Sequence, residues 1–573
     1  MKKSIFFTFL LIFLYFFIIF NINFKGPDEP IYYAYTASIV EDGDLNAVNH
    51  LNECYPYYLP SGKVGISETY NLPDFHNHGG VVLWAPFYIY VKIICFFSDK
   101  FDLLNLGTFE FEQVAKCLMS FSTIVFAFFT IMFTYLFCRK YFSDKVTVWS
   151  ILVIFFGTPI FFYSLFEVAN ANIIATLLSV ILILFYLQII DKGKTPWLVF
   201  GLFFSICIAV KVDLWFHSLF IFSFFIYHVI GRRISWVKGI FFLIGIVPGI
   251  ALKTINDYIK YGNLHIGEVC TLNLKGNYLL DQLFSSYRGF FYTSPVFYIC
   301  LAGICLILLD YLKKNKNNYS SFKNVNIVAL FLCLYVLIKI IVLGWRYAWG
   351  GGTCGARPLL TEFPVFVLLY AIVSQIQKKR LTNIIFYGIS IICIFWNFLI
   401  ISEYISHKDL IYVSGFPPII QRFSNIKYVL MPLFQLKEIG LKLKICIPLI
   451  IAVGLIILFI LKILGNLKVW GKLKNFKSQN DSLRFYYLFT VYLSVGYMIV
   501  TGLNVFNNRI NVRNMKNAGF FNNHKVISSY EFGKVENLGS INEMIFYFTL
   551  RGDEDRVNKL KKQKIEIYGA EIL

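Results

Sequence analysis

Two adjacent carboxylates, Asp28 and Glu29, stand between Pro27 and Pro30. Two acids held close together cannot both ionise cheaply, so we expect the pKa of one of them to rise. Such a carboxylate can accept a proton from a hydroxyl group or bind a metal ion. The alternative for an isolated pair of this kind is a solvated helix cap.

Three arginines, Arg288, Arg346 and Arg357, stand where apolar segments of the chain begin or end. The planar guanidinium suits bidentate contact with phosphate, which makes these residues candidate phosphate-binding groups. The glycine run at 350–352 would let the backbone approach a ligand closely, although a tight turn explains it equally well. The alternative for each arginine is snorkelling or a salt bridge at a helix end.

Four further polar side chains are candidates for contact with an acceptor. His76 and His78 are two residues apart and could bind a metal or an acceptor, but this spacing is a weak ligand signal. Glu167 and Glu268 are candidate second acids, since ionisable groups at membrane depth are often functional. The alternative for both glutamates is an interfacial or solvated position.

The composition requires a membrane environment around these groups. Of the 573 residues, 57% are hydrophobic and 15% are charged, whereas a water-soluble domain carries about 25% charged residues. Apolar runs of about 18 residues or more predict transmembrane helices, and such runs recur along this chain. A soluble globular protein is therefore excluded.

We predict an all-α polytopic membrane protein with about 13 transmembrane helices. The first, within residues 1–21, imitates a signal peptide, but no small-residue cleavage site precedes Asn21, so we expect it to be retained. The predicted segments are 4–21, 113–138, 146–165, 169–190, 197–211, 213–230, 237–253, 289–309, 325–343, 358–375, 382–402, 444–463 and 484–503.

The distribution of Lys and Arg sets the expected orientation. The N-terminal lysines and the loops predicted to be cytoplasmic together hold 23 Lys/Arg and 4 Asp/Glu, whereas residues 22–112 hold 4 and 12. Cytoplasmic loops are enriched in Lys and Arg. We therefore predict a plasma (inner) membrane protein with a cytoplasmic N-terminus and an extracytoplasmic site and C-terminus. The net charge of +20 then reflects topology and does not indicate nucleic-acid binding.

Two long segments flank the transmembrane bundle of residues 113–503. The first, 22–112, is too long for a simple connector. Within it we predict a short helix at 30–41, ended by Gly43, and a helix at 81–97 that lies on the outer membrane surface. The second segment, 504–573, is expected to form a small extracytoplasmic α/β appendage.

Several motifs resemble those of a known superfamily. Residues 26–33 read GPDEPIYY and residues 38–45 read SIVEDGDL. This order resembles the first outer loop of the GT-C glycosyltransferases, which include the protein O-mannosyltransferases and the aminoarabinose transferases. Residues 76–88 are similar to the juxtamembrane helix of that loop. Residues 286–295 and 349–358 are similar to bacterial members without assigned substrates, and the likeness covers roughly residues 1–400.

The resemblance implies sugar transfer from a polyprenyl-phosphate donor to a glycan, lipid or protein acceptor at the outer membrane face, with inversion of the anomeric centre. Asp28 would be the general base, and Glu29 would orient the acceptor or tune Asp28. Arg288 and Arg357, with Arg346 as a third candidate, would hold the phosphate and stabilise the leaving group. A divalent cation, Mg²⁺ or Mn²⁺, stays open as a cofactor.

Three other functions remain open at this level. A transporter or lipid flippase would have charged or broken helices near the bilayer midplane and internal repeats, and the sequence contains no evident repeat. A glycan polymerase or ligase would use a large late outer loop, for which 403–443 is long enough. A non-catalytic scaffold would keep the same fold. The identities of the sugar and of the acceptor cannot be read from the sequence.

Overall fold

The structure is a computed structural model that describes residues 3–22, 24, 28–54, 66–72, 76–101, 111–192, 196–262, 278–285, 289–313, 323–345, 354–355, 357–377, 380–406, 439–450, 480–522 and five positions near the C-terminus. These residues contain helices and 3-10 turns but no strand. The helices are α1 (Lys3–Ile19), α2 (Asp28–Glu41), α3 (Val48–Cys54), α4 (Val81–Phe101), α5 (Phe111–Cys138), α6 (Asp144–Phe156), α7 (Ile160–Leu165), α8 (Ala171–Lys192), α9 (Trp197–Val210), α10 (His217–Ile230), α11 (Val237–Tyr261), α12 (Leu279–Phe284), α13 (Phe290–Thr293), α14 (Val296–Lys313), α15 (Lys323–Leu343), α16 (Phe363–Ile376), α17 (Arg380–Ser406) and α18 (Asn480–Asn517).

Among the described residues, eight helical segments are long and apolar enough to cross a membrane, and four shorter helices are also apolar. This confirms the prediction of an all-α, multi-pass membrane protein. The count of thirteen crossings and the orientation stay predictions. The eight segments are His78–Ser98, Phe111–Cys138, Ala171–Asp191, Val212–Ile230, Val237–Tyr261, Arg357–Ile376, Arg380–Ile405 and Phe485–Asn517.

Prolines divide two of the segments that we predicted as single helices. The predicted helix 146–165 is interrupted between α6 and α7, where Gly157 and Pro159 stand. The predicted helix 289–309 is likewise interrupted before α14, at Pro295. Proline lacks a backbone N–H and disfavours helical geometry in the preceding residue, so each segment contains a short helix and a long one.

Two helices extend well past their predicted ends. α11 continues to Tyr261 instead of ending at 253, and α18 continues to Asn517 instead of ending at 503. The boundary that we placed between 503 and 504 therefore falls inside a helix. Most of the remaining tail, where we predicted an α/β appendage, lies outside the described residues. The change from apolar to polar composition had suggested the earlier boundary, but a helix does not have to end where it leaves the hydrocarbon.

The loops alternate between two ends of the bundle. At one end, called the site end below, α1 meets the α7–α8 turn through a hydrogen bond from the Asn21 N–H to the Leu165 carbonyl, 2.8 Å long. At the opposite end, called the basic end, a cavity of about 320 Å³ is lined by Lys140, Asp191 and Arg233 from three different loops or helix ends. Residues of three loops predicted to be cytoplasmic thus meet at the basic end.

α9 and α11 pack closely because small residues face each other. A Cβ atom on Gly201 of α9 would collide with the backbone of α11, and one on Gly245 would collide with the backbone of α9. One turn further, Gly249 lies against the side chain of Ser205. Small residues four positions apart let helix backbones approach within a membrane. One face of α11 is therefore fixed to the bundle.

α2 lies at the site end and confirms the predicted short helix. It begins two residues before the predicted start. It ends at Glu41, two residues before Gly43, whose φ of 71° is in the left-handed region and whose N–H donates to the Ser38 carbonyl. Glycine adopts this conformation without steric cost, which explains why the helix stops there. The turn after α2 is tied to α18 by the side chains of Asn507 and Asn511, which donate to backbone carbonyls of Gly43 and Asp42.

α4 corresponds to the helix that we predicted on the membrane surface. Its side chains Trp84, Tyr88 and Val91 are buried, while Ile93 and Phe96 are exposed. One face therefore packs on the protein and the other is apolar and exposed. The length and composition of this helix would also permit a crossing, so its placement on the surface stays a prediction.

Candidate functional site

Both candidate catalytic carboxylates occupy the first turn of α2. Asp28 is 6% exposed and Glu29 is 0% exposed, and every residue of the helix from Asp28 to Ile39 is buried. Carboxylates in the first turn interact favourably with the helix dipole. The alternative interpretation of this pair as a solvated cap is wrong, because both side chains are removed from solvent.

Three nitrogen groups surround the Asp28 carboxylate. Arg357 Nη2 lies 2.5 Å from Oδ2, and Asn170 Nδ2 donates to the same oxygen at 3.3 Å. His76 Nε2 lies 3.3 Å from Oδ1. The four residues Asp28, His76, Asn170 and Arg357 are called the Asp28 cluster below. Two residues that we predicted for separate roles, the base and the phosphate ligand, are in direct contact.

A turn with a left-handed glycine positions Arg357. Gly355 has a φ of 66°, and a Cβ atom there would collide with the ring of Pro159. The Arg357 N–H donates to the Gly355 carbonyl at 2.9 Å, and the hydroxyl of Tyr163 donates to the Cys354 carbonyl at 3.2 Å. Arg357 then begins the 3-10 turn Arg357–Glu362. Its side chain is 23% exposed, against 9% for Asp28, so the guanidinium is the more accessible partner.

The turn between α7 and α8 supplies the amide of the cluster. Ala169 has a φ of 55°, a conformation uncommon for residues other than glycine, and its N–H donates to the Thr123 hydroxyl at 2.9 Å. This geometry places Asn170 so that Nδ2 also reaches Glu167 Oε1, at 3.4 Å. Glu167 is fully buried and lies within electrostatic range of Arg357. The structure therefore brings Glu167 to the candidate site.

The polar network continues from the cluster along the start of α8. Asn172 donates from Nδ2 to Asn170 Oδ1 at 2.6 Å, and Asn172 Oδ1 accepts a hydrogen bond from Lys211. Lys211 Nζ lies 3.5 Å from Asp213 Oδ2. Two oppositely charged residues and two amides thus extend the site toward the α9–α10 turn.

A second ion pair, which the sequence reasoning missed, lies within the bundle. Lys339 Nζ lies 2.9 Å from Glu362 Oε1, and both side chains are 0% exposed. Glu362 also accepts hydrogen bonds from the hydroxyls of Thr361 and Tyr335. His217 lies within 3.4 Å of Tyr335. A lysine inside the apolar segment 325–343 was the available signal, because such residues are rare without a partner.

The environment of Asp28 determines its protonation. Burial by itself raises the pKa of Asp28, but the Arg357 guanidinium, His76 and Lys211 together outweigh burial, so the pKa lies well below its ordinary value. The expected rise caused by Glu29 does not apply to Asp28. Because the folded-state pKa is lowered, ionised Asp28 stabilises the fold above the unfolded-state pKa, and this stability is lost as pH falls through the folded-state pKa.

The other predicted site residues fall into two groups. His78 is buried, and its ring packs edge-on against the ring of Tyr35 at 4.5 Å, away from the atoms of Asp28 that His76 contacts. Arg288, Arg346 and Glu268 lie outside the described residues. Their predicted roles in phosphate binding and as a further acid stay predictions.

A metal site gains no support from the Asp28 cluster. Among the described residues, no group of three or more His, Cys, Asp or Glu side chains could hold a metal ion. The oxygens of Asp28 already face a guanidinium, an imidazole and an amide N–H. Such donors disfavour a cation in this arrangement, and a divalent cation stays an open alternative for the remaining parts of the chain.

Comparison of the chain with known proteins found no matching family model, no matching curated protein and no matching solved structure.

Proposed function

We propose that this protein is a membrane glycosyltransferase that moves a sugar from a polyprenyl-phosphate donor to an acceptor hydroxyl at the site end of the bundle. The observation that supports this function best is the contact of 2.5 Å between Asp28 and Arg357. The Asp28 carboxylate can accept a proton, and the Arg357 guanidinium is suited to binding phosphate. The two groups are in contact at a helix end, where the guanidinium is partly accessible to solvent.

Arg357 would bind the donor phosphate through those guanidinium N–H groups that do not face Asp28. Arginine has five N–H donors in a fixed plane, and one of its nitrogens already contacts the carboxylate. A phosphate shares the positive charge that now lowers the pKa of Asp28. Donor binding would therefore raise the basicity of Asp28 at the moment when a base is required.

The acceptor hydroxyl would then lose its proton to Asp28 while its oxygen attacks the anomeric carbon. The bond from that carbon to the phosphate oxygen breaks on the opposite side, and its electron pair leaves with the phosphate. Arg357 stabilises the developing charge on this oxygen. Attack opposite the leaving group inverts the anomeric centre. Fully buried Glu167 and Glu29 would orient the acceptor or tune the charge of the cluster.

A direct assay tests this function. The full-length protein, purified in detergent, is incubated with radiolabelled polyprenyl-phosphate hexoses and pentoses and with a lipid extract as the acceptor source. We expect transferred or hydrolysed sugar that is lost in Asp28→Asn. Asp42→Asn is the matched control, since Asp42 is in the same loop at the far end of α2, where it contacts His50. Equal turnover by both variants, or no product from any donor, would contradict the proposal.

A transporter or flippase is the second candidate, and the Lys339–Glu362 pair favours it. Ionisable residues buried within transmembrane helices often belong to ion or substrate pathways, and this pair is fully buried. Reconstituted vesicles with fluorescent lipids distinguish the two functions. Lipid translocation that is lost in Lys339→Met but retained in Asp28→Asn would support transport. Sugar transfer that requires Asp28 would support the glycosyltransferase.

A further inference from the structure

A groove separates the C-terminal parts of α11 and α18, away from the Asp28 cluster. Its volume is about 810 Å³. Ile255 and Tyr258 from α11 and Val505 and Val512 from α18 line it, and the first three of these are at least 42% exposed. α11 is held to α9 by its glycine face, so the groove forms beside a helix whose position is fixed. The groove presents apolar side chains that no other described residue covers completely.

Three cations stand along one wall of the groove. Arg509, Arg513 and Lys516 all line it and all are exposed. Residues separated by three or four positions share one face of a helix, so their charges point toward the same space. Arg509 and Arg513 take part in none of the ion pairs that occur among the described residues. Lys516 Nζ lies 4.9 Å from the ring centre of Tyr70, which closes one end.

The order of side chains along α18 matches the order of groups in a phospholipid. Toward the middle of the helix, Val495 and Met498 are exposed and apolar. Arg509, Arg513 and Lys516 follow, nearer its C-terminal end. A lipid with acyl chains in the membrane and a phosphate at its surface presents apolar and anionic groups in this same sequence. Clustered cations beside a membrane segment attract anionic lipids.

The groove is separate from the Asp28 cluster. Its wall is connected to the opposite end of α2, because Asn504 lines the groove and accepts a hydrogen bond from the Leu45 N–H at 3.0 Å. Asp28 begins α2, which has 14 residues. A helix rises about 1.5 Å per residue, so roughly 20 Å separate its two ends. One phosphate cannot contact Arg357 and Arg509 at once.

We propose that the groove between α11 and α18 binds a membrane lipid with an anionic phosphate headgroup, the phosphate at Arg509, Arg513 and Lys516 and an acyl chain against Ile255 and Val505. The headgroup chemistry is that of phosphatidylglycerol. Guanidinium groups bind phosphate oxygens through charge-assisted hydrogen bonds, and the apolar wall keeps water from the chain. This site does not depend on the proposed sugar transfer.

Photocrosslinking tests the site. The full-length protein in detergent is irradiated with phosphatidylglycerol that carries a diazirine in one acyl chain, and labelled peptides are identified by mass spectrometry. We expect adducts on the peptides around Ile255 and Val505, competed by unlabelled phosphatidylglycerol but weakly by phosphatidylcholine. Equal competition by both lipids would overturn the proposal, and so would the absence of adducts on these peptides.

Two variants locate the headgroup. In the triple variant Arg509→Gln, Arg513→Gln, Lys516→Gln we expect labelling of these peptides to fall by about tenfold or more, since each surface cation contributes roughly a fivefold factor to the binding of an anionic membrane. The charge-matched control replaces Arg232, Arg233 and Lys238 by Gln at the basic end and should leave this labelling unchanged. An equal loss in both triple variants would show a general charge effect and overturn the site.

A third variant leaves every charge in place. Val512→Trp fills part of the groove, and we expect it to reduce labelling of the same peptides severalfold while the protein keeps the elution volume and thermal unfolding temperature of the wild type. Unchanged labelling in a folded Val512→Trp protein, together with unchanged labelling in the cation variant, would place the lipid elsewhere. Loss in a folded Val512→Trp protein, or loss in the cation variant that its charge-matched control does not share, supports the groove.

Discussion

Two buried ion pairs stand at opposite ends of one short 3-10 turn, Arg357–Glu362, and they differ in access. Arg357 at its first residue contacts Asp28 and is 23% exposed. Glu362 at its last residue contacts Lys339, and both side chains are 0% exposed. The first pair can exchange one partner for a ligand, whereas the second is closed on all sides. The difference in access therefore predicts a functional role for the Asp28–Arg357 pair and a structural role for the Lys339–Glu362 pair.

Solvent access also affects the free-energy cost of burying each ion pair. Two charges removed from water are stabilised only when further hydrogen bonds satisfy them. The Glu362 carboxylate accepts hydrogen bonds from three such partners, Lys339, Thr361 and Tyr335. A ligand would therefore add little further stabilisation to this pair. At the Asp28 cluster an incoming phosphate brings new charge for Arg357. The following predictions separate the two pairs, starting with the largest expected effect.

Asp28→Asn should reduce sugar transfer by about 10²–10⁴, the usual effect of removing a general base. Asparagine keeps the shape of aspartate and a hydrogen-bond acceptor but cannot take the proton. Turnover under donor saturation is the measurement. The variant should still fold, with a thermal unfolding temperature below that of the wild type because the ionised carboxylate stabilises the fold. Glu29→Gln should be milder. Turnover close to normal in a folded Asp28→Asn protein would move the base elsewhere, with Glu167 as the next candidate.

Lys339→Met should destabilise the protein by about 3–5 kcal/mol, because it leaves the Glu362 carboxylate buried without its cation. The double variant Lys339→Met, Glu362→Leu should recover most of that loss, since apolar groups need no partner. Chemical denaturation in detergent measures the free energy of unfolding, and a double-mutant cycle isolates the coupling between the residues. A stable Lys339→Met protein without activity would show that the closed pair has a functional role.

Arg357→Ala should weaken donor binding by about tenfold to a hundredfold, the range for a lost hydrogen bond to a charged group. Arg357→Lys should restore part of the affinity, because lysine keeps the charge but lacks the planar fork. Arg288→Ala is expected to act in the same direction. Arg139→Ala at the basic end is the matched control, where Arg139 contacts Asp144. Titration with a labelled donor would show unchanged affinity in the Arg357 variants if the phosphate binds elsewhere.

The smallest effect concerns pH. Between about pH 7 and 5 the kcat/KM of the wild-type protein should not fall through protonation of Asp28, because Arg357, with His76 and Lys211, holds the pKa of Asp28 below the ordinary aspartate value of about 3.9. Removal of the guanidinium in Arg357→Ala leaves burial to act, so the acidic limb should move to higher pH. Profiles of kcat/KM for both proteins, which report groups of the donor-free state, test this, and superimposable acidic limbs would contradict the assignment.

The sequence predicted the helical framework because its signals are local. Apolar runs located the transmembrane segments, Gly43 marked the end of α2, and Pro30 located its first turn, although the helix begins two residues earlier, at Asp28. The same local reasoning missed the interruptions between α6 and α7 and before α14, although Pro159 and Pro295 were visible. It also ended α18 at 503, since hydropathy reports the solvent around a helix and not the continuity of its backbone.

The sequence identified candidate site residues by their type, whereas the structure shows which of them are in contact. Asp28, Glu167 and Arg357 were each selected, but they are far apart in sequence, and only the packing of α2, the α7–α8 turn and the Gly355 turn brings them together. His78 was selected with His76, yet it packs on Tyr35. Contacts of this kind depend on tertiary structure, which no spacing rule encodes. The lowered pKa of Asp28 follows from Arg357, His76 and Lys211 together and could not have been predicted from its neighbour Glu29.

Because α18 is much longer than the bilayer core is thick, we expect the function of this protein to depend on bilayer thickness. Its 38 residues span about 57 Å, while the hydrocarbon core is about 30 Å thick. Asn504, Asn507 and Asn511 bind the turn after α2 to the part of α18 beyond its apolar half. We therefore expect α18 to fix the height of α2 above the hydrocarbon. Acyl-chain length would then alter the distance between Asp28 and any phosphate that is anchored in the membrane.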